Sequence, residues 1–324
     1  MPTTRNKIRD AMLTFAPMRE LLFFIYQKKV YKGRIDKKIS SLLSGRKKLS
    51  DKRIDNLIIS LTSFPQRIDE IKYTVYSLLD QTTLPEKIIL WLAESQFPNK
   101  EQDLPNDLLA FRDFGLVINW CEDLKSYKKL IPALEQFRDY YIVTADDDLY
   151  YKRNWLEELW LEHMKYPEDL VCHYANKIRF KDKDILPYSQ WEIDLRKSAA
   201  GFDIFCCSGG GVVFHQKYLH KDITRKDLYS TLAPHADDIW FYFMAVLNNT
   251  KIRIVKNPHK LKYTNPYREY GLNNEYRLSQ VNVDDNHNDR QFNNVLSHYG
   301  HHAHALVARG EHSYQCTLNM PPRF

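Results

Sequence analysis

Cysteine is scarce in this chain, and its arrangement argues against two classes of small structural site. The five cysteines are an odd number, and none belongs to a CxxC pair. Such a set does not fit a disulfide framework or a zinc ribbon. We therefore expect the protein to occupy a reducing compartment, the cytoplasm.

Long apolar runs are also missing. No stretch reaches the roughly 18–20 apolar residues that a membrane-spanning helix needs. The best candidate, residues 21–26, is short and is followed by Lys28 and Lys29. It also lacks the small-residue cleavage site of a signal peptide. We expect neither a spanning helix nor a signal peptide here.

Acidic residues are rare in the first 53 positions. This segment holds 15 Lys and Arg against four acids, a net charge of +11, while the whole chain carries +6 and the remainder therefore −5. Together with residues 21–26, the segment is typical of a basic amphipathic helix on an anionic membrane face, peripheral at the inner membrane. The alternative is a helix packed on the core with solvated lysines.

Apolar runs and helical spacing alternate through the middle of the chain. Strands are predicted at residues 57–61, 87–92, 116–120 and 140–144, with helices at 68–80, 127–137 and 237–247. Weaker strand patterns occupy residues 171–174, 212–214 and 251–255. Strands separated by helices indicate βαβ units, and so an α/β fold with a mostly parallel sheet flanked by helices. Right-handed crossovers then place the strand ends at one edge.

Three domains are expected. Residues 1–54 form a basic helical extension, residues 55–260 the α/β catalytic domain, and residues 261–324 an acceptor or lid region. Beyond residue 260 the chain is rich in Asn, Tyr and His with weak periodicity, which predicts a loop-rich C-terminal region.

Three adjacent acids, Asp146, Asp147 and Asp148, end the strand predicted at residues 140–144. We name them the acid run. Open α/β sheets bind ligands at such strand ends. Like charges packed together repel unless a cation lies among them, and hard oxygen ligands suit Mg²⁺ or Mn²⁺ that carries phosphate oxygens. The alternative is that the acids cap the following helix.

Two other strand ends carry polar groups. Thr62 and Arg67 follow the first strand, where a hydroxyl and a guanidinium could meet the phosphates of a nucleotide. Ordinary N-capping by Thr62 or Ser63 is the alternative. Asp123 could accept from a base or ribose, and Lys129 could neutralise a diphosphate. A solvated helix start is the alternative for both.

A second pair of acids, Asp237 and Asp238, opens the helix predicted at residues 237–247. We name them the acid pair. One carboxylate can act as a general base if its neighbour raises its pKa. Helix capping is again the alternative. The glycines of residues 208–214 suggest a tight turn or a sugar-facing loop, because the lysine of a P-loop is missing.

In this order, the motifs resemble those of the GT-A (Rossmann-like) nucleotide-sugar glycosyltransferases, above all the bacterial family-2-like enzymes of capsule, O-antigen or lipooligosaccharide assembly. The resemblance covers roughly residues 55–300 and includes residues 60–67, 123–129, 209–211 and 286–292, the acid run and the acid pair. The acid run resembles the family's DxD motif, which binds a divalent metal on the donor's diphosphate. Relatives commonly carry a glycine–proline turn between the positions of Asp123 and Lys129, and this chain does not.

The resemblance implies a nucleotide-sugar donor, with UDP the usual nucleotide. The residues that would hold it are Thr62, Arg67, Asp123, Lys129, Asp146 and Asp147. Among them, Asp123 would contact the uridine and Asp146 the ribose or sugar. A run of three acids does not fix which member has which role.

The resemblance also implies a metal ion and a base. Asp148 and Asp146 would ligate Mn²⁺ or Mg²⁺. A C-terminal histidine such as His304 would be a further ligand, although a surface position is the alternative. Asp238 would deprotonate the acceptor hydroxyl, with Asp237 as the competing base, and attack opposite the leaving diphosphate would invert the anomeric carbon.

The expected function is sugar transfer to a glycan or lipid-linked acceptor in surface polysaccharide synthesis. A metal-dependent nucleotidyl- or phosphotransferase is one alternative, but the turn at residues 62–67 has no glycine for a triphosphate loop. A non-enzymatic carbohydrate-binding protein is the other. No nucleic-acid partner is expected, because an acidic cleft repels a phosphate backbone.

Overall fold

The computed structural model describes residues 32–182, 184–264 and 287–318, without the side chains of residues 302 and 310–318. The helices are α1 (Gly33–Leu43), α2 (Ile71–Leu79), α3 (Asn106–Leu109), α4 (Ile131–Gln136), α5 (Trp155–Lys165), α6 (Lys226–Leu232), α7 (Asp237–Leu247) and α8 (His287–Leu318). The strands are β1 (Arg53–Thr62), β2 (Leu84–Ala93), β3 (Leu116–Cys121), β4 (Tyr141–Ala145), β5 (Leu170–Cys172), β6 (Ala175–Lys177), β7 (Phe180–Lys181), β8 (Asp184–Ile185), β9 (Ala200–Gly201), β10 (Ile204–Cys206), β11 (Val213–Phe214) and β12 (Ile252–Ile254). Predictions for residues 1–31, including the apolar stretch 21–26, and for residues 265–286 lie outside the described residues.

The main sheet has five strands in the order β11-β4-β1-β2-β3. The four strands β1 to β4 pair in parallel, and β11 adds an antiparallel edge next to β4. The predicted α/β class with a mostly parallel sheet flanked by helices is confirmed. Its four parallel strands are those that the apolar runs predicted. Since parallel strands end at one edge, the residues after β1, β3 and β4 gather there.

Each face of the sheet buries a separate apolar layer. Ile58 contributes to the layer with α4, α7 and α8, while its neighbour Ile59 contributes to the layer with α1, α2 and α5. This alternation is the two-residue period of a strand. The result is a sheet between two helical layers, so its strand interiors are inaccessible and only its edges can bind ligands.

Helix α1 belongs to the second of these layers. Its side chains Ile35, Ile39 and Leu42 are buried, while Lys37 and Lys38 are exposed. For these residues the structure matches the alternative of a helix packed on the core with solvated lysines. Among the described residues, no helix is both long and apolar enough to cross a membrane.

Two predictions of secondary structure were wrong in detail. The helix expected at residues 127–137 is instead a 3-10 turn, Lys125–Lys129, followed by α4. Pro132 lies at the start of α4 because proline lacks the N–H that a helix interior requires. The C-terminal region is not loop-rich at residues 287–318, which form one helix kinked at Gly300. Its apolar side chains, such as Phe292 and Val295, are buried in the layer that contains α7.

Candidate active site

The acid run lies at the carboxyl edge of the sheet, directly after β4, and its central member is held firmly. The Asp147 side chain is 5% exposed. Ser63 Oγ donates to Asp147 Oδ2 at 2.6 Å, and the Arg67 guanidinium donates to Asp147 Oδ1 at 2.6 Å. Both oxygens of this carboxylate are therefore used within the protein. Asp147 anchors the turn after β1 to the end of β4.

Asp148 is more accessible than Asp147, with its side chain 15% exposed. Arg67 reaches its Oδ2 at 3.2 Å. The Asp148 carbonyl accepts from the Thr264 N–H at 2.8 Å. The backbone of Asp148 is thus fixed by a later segment of the chain, while the carboxylate faces the edge of the sheet beside a guanidinium.

Asp146 lies against a buried lysine and a glycine loop. Lys129 Nζ donates to Asp146 Oδ1 at 2.6 Å. The Asp146 N–H donates to the Tyr151 hydroxyl at 2.8 Å, and that hydroxyl donates to the Gly209 carbonyl at 2.6 Å. A Cβ at Gly209 would lie 1.9 Å from Asp146 Oδ2. The loop can approach this carboxylate so closely only because residue 209 has no side chain.

Lys129 joins the acid run to the acid pair. Its Nζ is 3.2 Å from Asp237 Oδ2 as well as 2.6 Å from Asp146 Oδ1. Burial alone would lower the pKa of Lys129, but the nearby carboxylates of Asp146, Asp237 and Asp238 raise it well above its ordinary value. The lysine is therefore a permanent cation between two sets of acids.

Asp238 is oriented by Ser208. The Ser208 N–H donates to Asp238 Oδ1 at 2.8 Å, and the Ser208 hydroxyl donates to the same oxygen. Burial and the neighbouring charge of Asp237 raise the pKa of Asp238 to about 7. A carboxylate with a pKa near neutrality can both accept and release a proton under physiological conditions. Of the acid pair, Asp238 has the properties of a base and Asp237 those of an ion-pair partner.

Asp123 and Thr62 lie at the same sheet edge but are already bonded. Asp123 accepts from the Lys125 N–H at 3.0 Å and from Lys128 Nζ at 3.1 Å. Burial opposes these bonds, yet the two donors hold the pKa of Asp123 below its ordinary value. The Thr62 hydroxyl donates to the Trp91 carbonyl at 2.8 Å, inside the sheet. The Thr62 hydroxyl is therefore engaged within the protein, whereas the Asp123 carboxylate is ionised and exposed.

Two side chains that hold the site together carry no clear signal in the sequence. Ser63 was considered only within the turn after β1, and Ser208 only within the glycine loop. Each is a serine bonded to a carboxylate from a distant part of the chain. A serine next to a strand end is a weak local signal, because its partner is set by tertiary structure.

A divalent metal fits the acid run only if a substrate completes its coordination. Asp146, with its side chain 39% exposed, is the most accessible carboxylate of the run, and Asp148, 15% exposed, lies two residues further along. Mg²⁺ is often held by one or two carboxylates together with substrate phosphates and water. In the described part of the chain, the ligand-type side chains that cluster closely enough for an all-protein site are Glu158, His173 and His259, not the acid run. His304 lies on α8 and makes no hydrogen bond or ion pair with the acid run among the described residues.

Comparison with known proteins gives a coarse likeness. No family model and no curated protein matches the chain. Among solved structures, the crystal structure of S. aureus TarS 1-349 is similar at 14% identity and a TM-score of 0.44, over 76% of this chain and 70% of that one. The same S. aureus protein in complex with UDP is similar at 13% identity and a TM-score of 0.43, over 69% and 68%. A likeness of this size assigns the chain to no family.

Proposed function

We propose that the protein is an inverting GT-A glycosyltransferase that moves a sugar from a nucleotide donor, a UDP-sugar, to a hydroxyl of a glycan or lipid-linked acceptor. One observation carries the proposal. The acid run and the acid pair, at the ends of different elements, meet across Lys129 at 2.6 Å and 3.2 Å. Donor binding and proton removal are thereby brought to one edge of the sheet.

Asp238 is the base in this proposal. It takes the proton from the acceptor hydroxyl, whose oxygen forms a bond to the anomeric carbon. The bond from that carbon to the diphosphate oxygen breaks, and the nucleoside diphosphate leaves with the electron pair. Ser208 orients the Asp238 carboxylate through two donors. A pKa of about 7 matches a base that works near neutral pH.

Lys129 and Arg67 stabilise negative charge on the donor side. Both are cations at the carboxyl edge of the sheet, and both are held in place by carboxylates of the acid run. Asp148, with Asp146 beside it, would hold Mn²⁺ or Mg²⁺ together with the donor's phosphates. When bound, such an ion offsets the charge that develops on the leaving diphosphate. Asp123 remains the candidate for contact with the nucleoside.

The hydrogen bonding of the turn after β1 argues against the nucleotidyl- or phosphotransferase alternative. Its Arg67 N–H is bonded to the Phe64 carbonyl at 2.9 Å, so this amide is not presented to a ligand. Arg67 instead contributes its guanidinium, one planar cation rather than a cradle of amides. This arrangement suits a diphosphate that lies against the acid run better than a triphosphate wrapped by a loop.

A panel of nucleotide sugars tests the proposal. With Mn²⁺ or Mg²⁺ present, one donor should raise the melting temperature and release nucleoside diphosphate in the presence of an acceptor. Asp238→Asn should abolish release but keep donor binding, because Asp238 acts on the acceptor. Release of pyrophosphate or of a nucleoside monophosphate would instead indicate the phosphotransferase alternative. No donor binding by any nucleotide sugar would contradict the proposal.

A further inference from the structure

Away from the acid run, three side chains from distant parts of the chain form a cluster. Glu158 lies on α5, His173 follows β5, and His259 follows β12. One candidate ligand atom from each lies within 4.8 Å of the other two. His259 Nε2 is 2.8 Å from Glu158 Oε2, and His173 Nε2 is 3.9 Å from the same oxygen.

The cluster contains buried polar atoms that the described protein does not satisfy. His173 Nδ1 and His259 Nδ1 are buried without a hydrogen-bond partner among the described residues. Leaving a buried polar atom without a partner is costly. The His173 side chain is only 1% exposed. Two such nitrogens beside one carboxylate indicate a missing partner.

The other polar atoms of the cluster are oriented as in metal sites. His173 Nε2 lies 3.0 Å from the Trp155 carbonyl. Because a carbonyl only accepts, this nitrogen carries the proton and Nδ1 has the free lone pair. Asn154 donates to the second oxygen of Glu158. Ligating histidines typically donate their other N–H to a carbonyl, and ligating carboxylates are hydrogen-bonded in turn.

The donor set of the cluster matches the preference of one metal. Two imidazoles and one carboxylate suit zinc, whereas magnesium and calcium prefer oxygen ligands alone. The imidazole rings stack at 4.6 Å with 21° between their planes. Binding one ion therefore requires a side-chain rotation.

We propose that Glu158, His173 and His259 form a zinc site distinct from the acid run, with water in the fourth position. The ion would join α5, the end of β5 and the segment that continues from His259 to Thr264. That segment is bonded to the acid run, since Thr264 N–H donates to the Asp148 carbonyl at 2.8 Å. The zinc ion would thereby fix the backbone on which the donor site depends.

Zinc content of the purified full-length chain, without a histidine tag, tests this proposal independently of any sugar transfer. After removal of metal with a chelator and addition of Zn²⁺, dialysed protein should retain one zinc per chain and melt at a higher temperature. Glu158→Gln and His259→Ala should each weaken zinc affinity about tenfold or more. Glu162→Gln, one turn further along the same helix, is the matched control and should bind zinc as the wild type does.

Two further variants make the outcome decisive. Asp148→Asn should leave zinc binding unchanged, and loss of zinc in that variant would place the ion at the acid run. Because His173 is buried, the test rests on the two more accessible ligands, with circular dichroism to show that each variant is folded. Failure of the wild type to retain zinc, or equal affinity in Glu158→Gln and Glu162→Gln, would overturn the proposal.

Discussion

Asp146 and Asp237 share one ammonium group: Lys129 Nζ lies 2.6 Å from Asp146 Oδ1 and 3.2 Å from Asp237 Oδ2. The first acid ends a strand and the second begins a helix. A single buried cation thus sets the distance between the two acidic parts of the site. It also compensates charges that would otherwise repel each other in a region of low dielectric constant.

Replacing this lysine should therefore destabilise the fold. Lys129→Met removes one partner of a buried ion-pair network, and we expect the free energy of unfolding at neutral pH to fall by about 3–5 kcal/mol. Urea denaturation measures the loss. The deficit should shrink toward about pH 4, because carboxylates without a partner then take up protons.

Lys125→Met is the control for that prediction. Lys125 is exposed, and its replacement should change stability by about 0.5 kcal/mol or less. Equal losses in the two variants, or a Lys129→Met deficit independent of pH, would show that the lysine does not compensate buried carboxylates.

The raised pKa of Asp238 predicts a pH dependence of stability with a definite sign. Its folded-state pKa is about 7, against an unfolded value of about 4. Between these values the folded protein keeps a proton that the unfolded chain has released. Stability should therefore fall as pH rises through this window. In Asp238→Asn that part of the slope should vanish, as urea midpoints over a pH series would show.

Asp113→Asn, the replacement of an exposed carboxylate, should keep the wild-type slope. In the proposed enzyme, kcat should also rise with pH through about 7, because the base must be ionised. Loss of the stability slope in Asp237→Asn rather than in Asp238→Asn would reverse the assignment of the two acids.

The extent to which the sequence predicts this structure depends on how local each signal is. The apolar runs that predicted β1 to β4, residues 57–61, 87–92, 116–120 and 140–144, are five or six residues long. Their alternation with helical patterns sufficed to predict a parallel sheet. The carboxyl-edge rule then placed the acid run correctly beside Arg67 and Lys129. The split of the helix at residues 127–137 could also have been predicted, since Pro132 signals a helix start.

Contacts between distant segments could not be predicted in this way. Ser208 donates to Asp238 from a different segment of the chain, a tertiary contact with no local pattern. The cluster of Glu158, His173 and His259 has no metal-binding spacing along the chain, since its members come from three separate segments. Such sites emerge only when the fold brings them together.

The exposed lysines of α1 test the membrane hypothesis without disturbing the core. Lys37 and Lys38 are exposed, while Ile35 and Ile39 of the same helix are buried. If this face binds anionic lipid, Lys37→Glu with Lys38→Glu should weaken binding to phosphatidylserine vesicles on the order of 30-fold, from about 1 kcal/mol for each lost lysine. Vesicle sedimentation at physiological salt is the measurement.

The matched control for the lysine pair is Lys181→Glu with Lys197→Glu, which makes the same change in net charge at two other exposed lysines. Equal weakening in both double variants would indicate a general charge effect. Unchanged binding in the Lys37 and Lys38 variant would remove α1 from the membrane hypothesis and leave only residues 1–31 as a candidate.

Gly209 and Gly201 offer a matched pair of steric tests. A Cβ at Gly209 would lie 1.9 Å from Asp146 Oδ2, and a Cβ at Gly201 would lie 2.4 Å from Asp203 Oδ1. Both aspartates are paired with a lysine, Asp146 with Lys129 and Asp203 with Lys177. Each alanine substitution should therefore lower stability by a similar amount, about 1–3 kcal/mol, as overpacking does.

Only Gly209→Ala should weaken binding of the nucleotide-sugar donor. The new methyl group displaces the Asp146 carboxylate from Lys129, so affinity for the nucleotide sugar should fall about tenfold, consistent with the loss of about 1.4 kcal/mol. Gly201→Ala, whose clash lies at β9, should bind the donor as the wild type does. Isothermal titration of both variants at a temperature where each is folded separates the two effects. Equal donor affinity in the two variants would mean that the position of the Asp146 carboxylate does not matter for donor binding, and the proposed donor site would have to be placed elsewhere on the sheet edge.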